Sequence, residues 1–231
     1  MTNVLENPFS RFSVATPPLL VFDLDGTLID SLDGITRAAN RVLDQHALPR
    51  ITNDDIRRAI GDGARKLLER TMPELVGRLS VETVFGEFRE VYLEESLRDP
   101  QLYSGALAFL DATAADHSLA VLTNKPLAIS EAMLAALGIA DRFAAVIAPE
   151  NARAPKPDPA GFFGLLEQLK STGDRSILFG DSTKDFAAGH GVGALTIGMR
   201  DGYYTPGEPD PDFWADDFSQ IHHLWTQWRN S

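Results

Sequence analysis

The 231-residue sequence contains no cysteine. Disulfides, zinc–thiolate centres and thiol nucleophiles are therefore excluded. Basic residues are scarce: 21 Lys and Arg stand against 33 Asp and Glu, for a formal net charge of −12. So acidic a chain is unsuited to sequence-independent nucleic-acid binding, which neutralises phosphates with cations. An anionic ligand would need positive charge concentrated locally. No apolar run approaches the length of a membrane span. The opening MTNVLENPFSRFSVATPP lacks a basic start followed by an apolar core, so no signal peptide is expected. These absences lead to an expected cytoplasmic protein with neither membrane nor nucleic-acid partners; a monomer or homodimer is the expected assembly, with nothing in the sequence deciding between them. His46, His117, His190, His222 and His223 show no metal-ligand spacing, and no internal repeat is visible.

What is present is organised around Leu19–Ser31, LLVFDLDGTLIDS. A short apolar run closed by turn residues reads as a buried parallel strand, and Gly26 permits a sharp turn at its end. Asp23 and Asp25 are two apart, so on extended chain they share a face. Two carboxylates there make an oxygen-rich site suited to Mg²⁺; one can attack an electrophile while the other moves protons. Taken alone, the pair fits equally a turn that merely caps backbone amides.

Downstream, Ile35, Ala38, Ala39, Val42 and Leu43 recur at helical spacing. Further helices follow from Thr52-Asn53-Asp54-Asp55, around Leu67-Leu68, and from Ser80, with Gly61-Asp62-Gly63 as a break between two of them. From Tyr103 onward strands and helices alternate, with strands at 119–122, 144–147, 176–179, 194–197 and 213–215. The expected fold is α/β: a Rossmann-like parallel sheet with helices on both faces, interrupted by an all-helical insert. The core is assigned to residues 1–30 and 100–231, the helical cap to 31–99. Residues up to Pro18 read as a partly ordered lead-in.

Four strand ends carry polar groups: Asp23 and Asp25; Thr123 and Asn124; Lys156 in a proline-rich loop; Asp181 with Asp185. Open α/β sheets bind ligands beyond the carboxyl ends of their strands. Singly, each group has an ordinary structural use, as a helix cap or a solvated charge. Together and in this order they are far more specific.

DLDGTLIDS, LTNKP, KPDP and GDSTKD resemble the four motifs of the haloacid dehalogenase superfamily, in its phosphatase branch, over the whole chain from Leu19. Within it the chain is most similar to phosphoglycolate phosphatases and related small-molecule phosphatases. The resemblance implies a Mg²⁺-dependent phosphatase acting through an aspartyl phosphate. It makes Asp23 the nucleophile and Asp25 the general acid and base. Thr123, Asn124 beside it, and Lys156 hold the transferring phosphoryl group. Asp23, Asp25, Asp181 and Asp185 form the metal site. Gly61, Asp62 and Gly63 resemble the cap loop that reaches the active site, and Arg65 is the candidate partner for a substrate carboxylate.

Two departures stand out. Gly189 and Gly191 interrupt the helix after Asp185, where each costs roughly 1 kcal/mol relative to alanine, and His190 replaces a long cation. Looser packing is expected there. A sugar-phosphate phosphotransferase or mutase on the same core remains open, since the sequence does not identify the phosphoryl acceptor. A catalytically silent binding module is disfavoured, because Asp23, Lys156 and Asp181 are all present. Dehalogenation is disfavoured by Asp25, a proton-transfer group that phosphoryl chemistry needs.

Overall fold

Leu19–Phe22 forms strand β1, buried on both faces, which is why it reads as one unbroken apolar run. Leu20 and Phe22 join the core on one side of the sheet, and Leu19 and Val21 the smaller core on the other. A computed structural model describes residues 7–203 and 207–231. Beyond β1 the chain makes a two-residue strand β2 (Ile29–Asp30) and then five helices: α1 (Leu32–Gln45), α2 (Asn53–Ala59), α3 (Ala64–Thr71), α4 (Pro73–Arg78) and α5 (Val81–Leu97). It returns through β3 (Gln101–Leu102), antiparallel to β2. The alternating region follows: α6 (Ala106–Thr113), β4 (Leu119–Leu122), α7 (Leu127–Ala136), β5 (Phe143–Ile147), α8 (Ala160–Leu169), β6 (Ser176–Gly180), α9 (Thr183–Val192), β7 (Leu195–Met199), β8 (Phe213–Ala215) and α10 (Phe218–Arg229).

Six strands form one parallel sheet in the order β5-β4-β1-β6-β7-β8. β1 sits between β4 and β6, so the ends of all three open onto one edge. Phe22 stacks on Phe179 at 4.9 Å, and Phe109 of α6 and Phe218 of α10 complete an aromatic cluster on that face. Phe162, Leu165 and Leu166 of α8 cover the opposite face. The α/β architecture with helices on both faces and an inserted helical cap is therefore as expected.

Three features add to the expectation or differ from it. The lead-in is anchored at residues 7–9 while residues 13–16 are exposed: Phe9 is fully buried edge-on to Trp225 at 4.8 Å, and Asn7 Nδ2 donates to the Leu224 carbonyl. Burying that aromatic ring fixes the segment; residues 1–6 lie outside the described chain. The ribbon of β2 and β3 went unread because two-residue strands leave no periodic signal. Finally, the α9 helix is continuous. A Cβ on Gly189 would lie 2.4 Å from Thr196 Cγ2, and one on Gly191 2.7 Å from Pro159 Cβ. Both glycines allow close packing that a side chain would forbid, and His190 Nε2 is held 3.0 Å from Thr196 Oγ1.

Candidate active site

β1 delivers Asp23 to the sheet edge, and its backbone N–H continues the ladder to the Phe179 carbonyl. The chain then turns: Thr27, Leu28 and Ile29 amides all converge on the Leu24 carbonyl. Gly26 makes this possible at φ +84°, and a Cβ there would lie 2.2 Å from Asp181 Oδ2. Only glycine lets the β1 turn and the β6 end come so close.

β6 ends at Gly180, followed by Asp181, whose Oδ2 accepts the Tyr203 N–H at 2.7 Å. Ser182 and Asp185 form a capping box at the start of α9: Asp185 Oδ2 accepts from the Ser182 N–H and hydroxyl. That leaves Asp185 Oδ1 for Lys156 Nζ at 2.5 Å. The same ammonium lies 2.8 Å from Asp23 Oδ1, but not along a well-directed hydrogen bond, so Oδ1 has no formal hydrogen-bond partner. Asn124 secures the Lys156 loop: its Oδ1 accepts the Lys156 N–H at 3.0 Å, and its Nδ2 donates to the Lys156 carbonyl at 2.8 Å. Nδ2 also reaches the Gly61 carbonyl at 2.9 Å, fastening the cap loop to the core. Thr123 is buried at the end of β4; its Oγ1 accepts the Lys125 N–H at 3.1 Å, leaving the hydroxyl proton to donate.

Asp23, Asp181 and Asp185 each place one carboxylate oxygen within 4.8 Å of the others. Burial pushes the Asp23 carboxyl up to about 6, against the pull of Lys156 and with Asp185 and Asp25 adding to the rise. Asp181 is driven well above the ordinary carboxylate range, first by burial and then by Asp185 and Asp23. Burial opposes the charge on Lys156, but Asp185 and Asp23 outweigh it and hold the ammonium above its usual value. Three buried carboxylates with one ammonium are short of positive charge. An all-oxygen donor set of this kind suits a hard divalent cation.

The side chain of Asp25 is not part of that cluster. Its Oδ1 accepts from Ser31 Oγ at 2.6 Å and from Lys125 Nζ at 2.8 Å. Lys125 also donates to the Tyr92 hydroxyl of α5. Burial opposes its charge, and Asp25 and Tyr92 overcome that; burial in turn pushes the Tyr92 phenol up to about 12. A cavity of about 220 Å³ lies over these groups, with Asp23, Thr123 and Lys156 on its floor. Arg57, Gly61, Gly63, Leu67, Phe88 and Tyr92 form its cap side.

Arg65 is not brought to this cavity. It pairs in bidentate fashion with Glu82 at 2.8 and 2.9 Å and lies over the Phe85 ring at 4.2 Å. Its helix α3 points it at α5, away from the site. Asp62 also turns aside, pairing with Arg70 at 2.6 Å and with Lys184 of α9 at 3.4 Å. Sequence reasoning missed Lys125, Tyr92, Tyr203 and Arg57. Lys125 was legible in principle, standing inside LTNKP at a strand end. Tyr92 and Tyr203 were not, because a tyrosine in a helical stripe or a loop looks like packing.

Residues 20–199 match the family of haloacid dehalogenase-like hydrolases. A curated phosphoglycolate phosphatase from Rhodospirillum rubrum is 34% identical over 195 residues, covering 81% of each chain. An N-acetylmuramic acid 6-phosphate phosphatase from Pseudomonas putida is 30% identical, covering 89% of this chain and 92% of its own. The crystal structure of a predicted phosphoglycolate phosphatase from Haemophilus somnus 129pt superposes with a TM-score of 0.81 at 30% identity, covering 91% of this chain and 98% of that one. The chain belongs to the haloacid dehalogenase-like hydrolases and is an enzyme similar to phosphoglycolate phosphatases. Among the described residues, no helix is long and apolar enough to cross a membrane.

Proposed function

We propose that this protein is a Mg²⁺-dependent phosphatase that hydrolyses a small phosphorylated metabolite through an aspartyl phosphate. We divide it into a catalytic core, residues 1–30 and 100–231, and a cap, residues 31–99, and place it in the cytoplasm as a monomer or homodimer. The observation that carries the reading is the convergence of Asp23, Asp181 and Asp185 within 4.8 Å, with the Lys156 ammonium against two of them.

In this reading Asp23 carries the attacking oxygen. Asp23, Asp181 and Asp185 would hold the Mg²⁺, which would offset the repulsion between a carboxylate and a phosphate dianion. The Thr123 hydroxyl and Lys156 ammonium bind phosphoryl oxygens. Asn124 acts on the phosphate indirectly, by fixing the Lys156 loop. Asp25 gives a proton to the leaving alkoxide as the P–O bond breaks. It then takes one from the water that cleaves the acyl phosphate. The closed cap excludes bulk water during both steps.

Arg57 supports a carboxylated substrate. Among the described residues it is the one cavity-lining cation without a carboxylate partner: Arg58 pairs with Asp55, Arg70 and Lys184 with Asp62, Lys125 with Asp25, and Lys156 with Asp23 and Asp185. It lies over the Tyr203 ring at 5.5 Å. The names of two relatives, phosphoglycolate phosphatase and N-acetylmuramic acid 6-phosphate phosphatase, both denote a phosphate ester that also bears a carboxylate. Phosphate release from 2-phosphoglycolate and from a neutral aryl phosphate tests both parts. Mg²⁺-dependent release is expected from both. Arg57→Ala should raise KM for 2-phosphoglycolate about tenfold or more, the scale of one charged hydrogen bond, and leave the aryl phosphate nearly unchanged. Equal effects on both esters would remove Arg57 from substrate recognition, and turnover unaffected by chelator would remove the metal.

A further inference from the structure

Ser31 stands at the N-cap of α1 but makes no capping hydrogen bond. Its backbone, at φ −103° and ψ 0°, is not the extended one a capping residue adopts. Its hydroxyl instead donates to Asp25 Oδ1 at 2.6 Å. The leading amides of α1 would then be orphans in a buried place. A tyrosine from far along the chain takes the two that lead into the helix. The Ser31 and Leu32 N–H groups donate to the Tyr203 hydroxyl at 2.8 and 3.0 Å, and the Leu32 N–H also reaches Asp30 Oδ1 at 3.3 Å. That hydroxyl donates in turn to Asp30 Oδ1 at 2.7 Å. A phenol has one proton and two lone pairs to offer, and all three are used. The backbone of the same residue holds Asp181, through the Tyr203 N–H at 2.7 Å.

We propose that Tyr203 is a positioning residue. Its hydroxyl holds the Ser31 and Leu32 N–H groups, and so fixes the backbone that aims the Ser31 hydroxyl at Asp25. One residue thereby ties the point where the chain enters the cap to both Asp25 and Asp181. This rests on the reading of Asp25 as the proton-transfer group. Without the phenolic oxygen, the Ser31 N–H loses its acceptor, and the backbone that aims the Ser31 hydroxyl at Asp25 is no longer held. Asp25 then keeps only Lys125, and its carboxyl is free to swing about that single contact. The ring of Tyr203, its backbone bond to Asp181 and the Arg57 contact would survive replacement by phenylalanine.

The test compares Tyr203→Phe, Ser31→Ala and the double variant in the full chain, with Mg²⁺ present and an aryl phosphate as substrate. Each single change is expected to lower kcat about tenfold, a modest part of what proton transfer contributes, with KM within about twofold. In the double variant the losses should not multiply, because Tyr203 acts through Ser31. Amide exchange at Ser31, whose N–H has the phenol as its acceptor, should quicken at least tenfold in Tyr203→Phe and not in Ser31→Ala. Unchanged kcat in Tyr203→Phe, or losses that multiply in the double variant, would overturn the proposal. Should Tyr203→Phe fail to fold, Asp30→Ala removes the acceptor of the phenol together with a 3.3 Å contact to the Leu32 N–H, so it is read at Ser31: kcat and Ser31 exchange should shift in the same direction, and no shift would likewise overturn the proposal. If the wild type released no phosphate from any ester, the phosphatase reading would fail by itself. The exchange comparison would still decide whether Tyr203 holds the Ser31 backbone.

Discussion

Replacing Lys156 by methionine removes the single ammonium from among three buried carboxylates while keeping the length of its stem. Lys156 Nζ lies 2.8 Å from Asp23 Oδ1 and 2.5 Å from Asp185 Oδ1. At an effective dielectric of about 20, each attraction is roughly 6 kcal/mol before the desolvation of both partners is set against it. Removing one member of such a buried pair typically costs about 3–5 kcal/mol, since the stranded charges stay buried. For a chain of this size that is a fall in Tm of roughly 6–20 °C. The fall should be largest in chelator, where nothing else neutralises Asp23, Asp181 and Asp185. Saturating Mg²⁺ should recover part of it, because a cation bound only by the folded state adds about 2.7 kcal/mol at a hundredfold excess over Kd. Scanning calorimetry of wild type and Lys156→Met, each with chelator and with Mg²⁺, reads all four values. If the two proteins melted within about 2 °C of one another in chelator, Lys156 would not be neutralising a buried cluster. The charge argument for a metal would then fall with it.

Three other outcomes follow from the same geometry. Asp23→Asn should abolish turnover. In chelator at neutral pH it should also leave the protein as stable as wild type or more so, because burial and neighbouring carboxylates raise the Asp23 carboxyl to about 6 and its charge therefore opposes folding; a clear loss of Tm would contradict that sign. Gly26→Ala should cripple both folding and activity, since the new methyl would sit 2.2 Å from Asp181 Oδ2 on a backbone at φ +84°, and a wild-type kcat would show that the turn relaxes freely. His117 is buried against Trp225 at 4.9 Å, and burial lowers its pKa below the ordinary value of 6.5. Below pH 6.5 the unfolded chain takes up a proton that the folded one resists, so this contribution to stability is present above pH 6.5 and lost as pH falls. His117→Phe should flatten that part of the denaturant-unfolding curve against pH, and parallel curves for the two proteins would remove His117 as a cause.

The floor of the cavity was legible because strand ends are local features. An apolar run, a turn glycine and a polar pair within a few residues of one another place Asp23, Thr123 and Asp181 at a common sheet edge without reference to the rest of the chain. The pairing of Ser182 with Asp185 could also be read, as a capping box. What escaped was whatever depends on the angle between elements. Arg65 and Arg57 are both cap cations near Gly61, and only the packing of α2 and α3 decides that one meets Glu82 and the other faces the cavity. The bond from Ser31 to Tyr203 spans 172 residues, and no window of sequence contains it. Gly189 and Gly191 were misread for the same reason. Helix propensity measures an isolated helix, whereas Thr196 and Pro159 stand against α9 so closely that alanine would collide with them.

The account turns on Asp23 as the group that takes the phosphoryl from the substrate. Rapid acid quench during turnover of 2-phosphoglycolate with Mg²⁺, followed by peptide mass spectrometry, reads this directly. A phosphoryl adduct on Asp23 that forms and decays with the reaction, and is absent from Asp23→Asn, is the predicted result. Sustained phosphate release with no adduct on Asp23, or with the adduct on another residue, would contradict it.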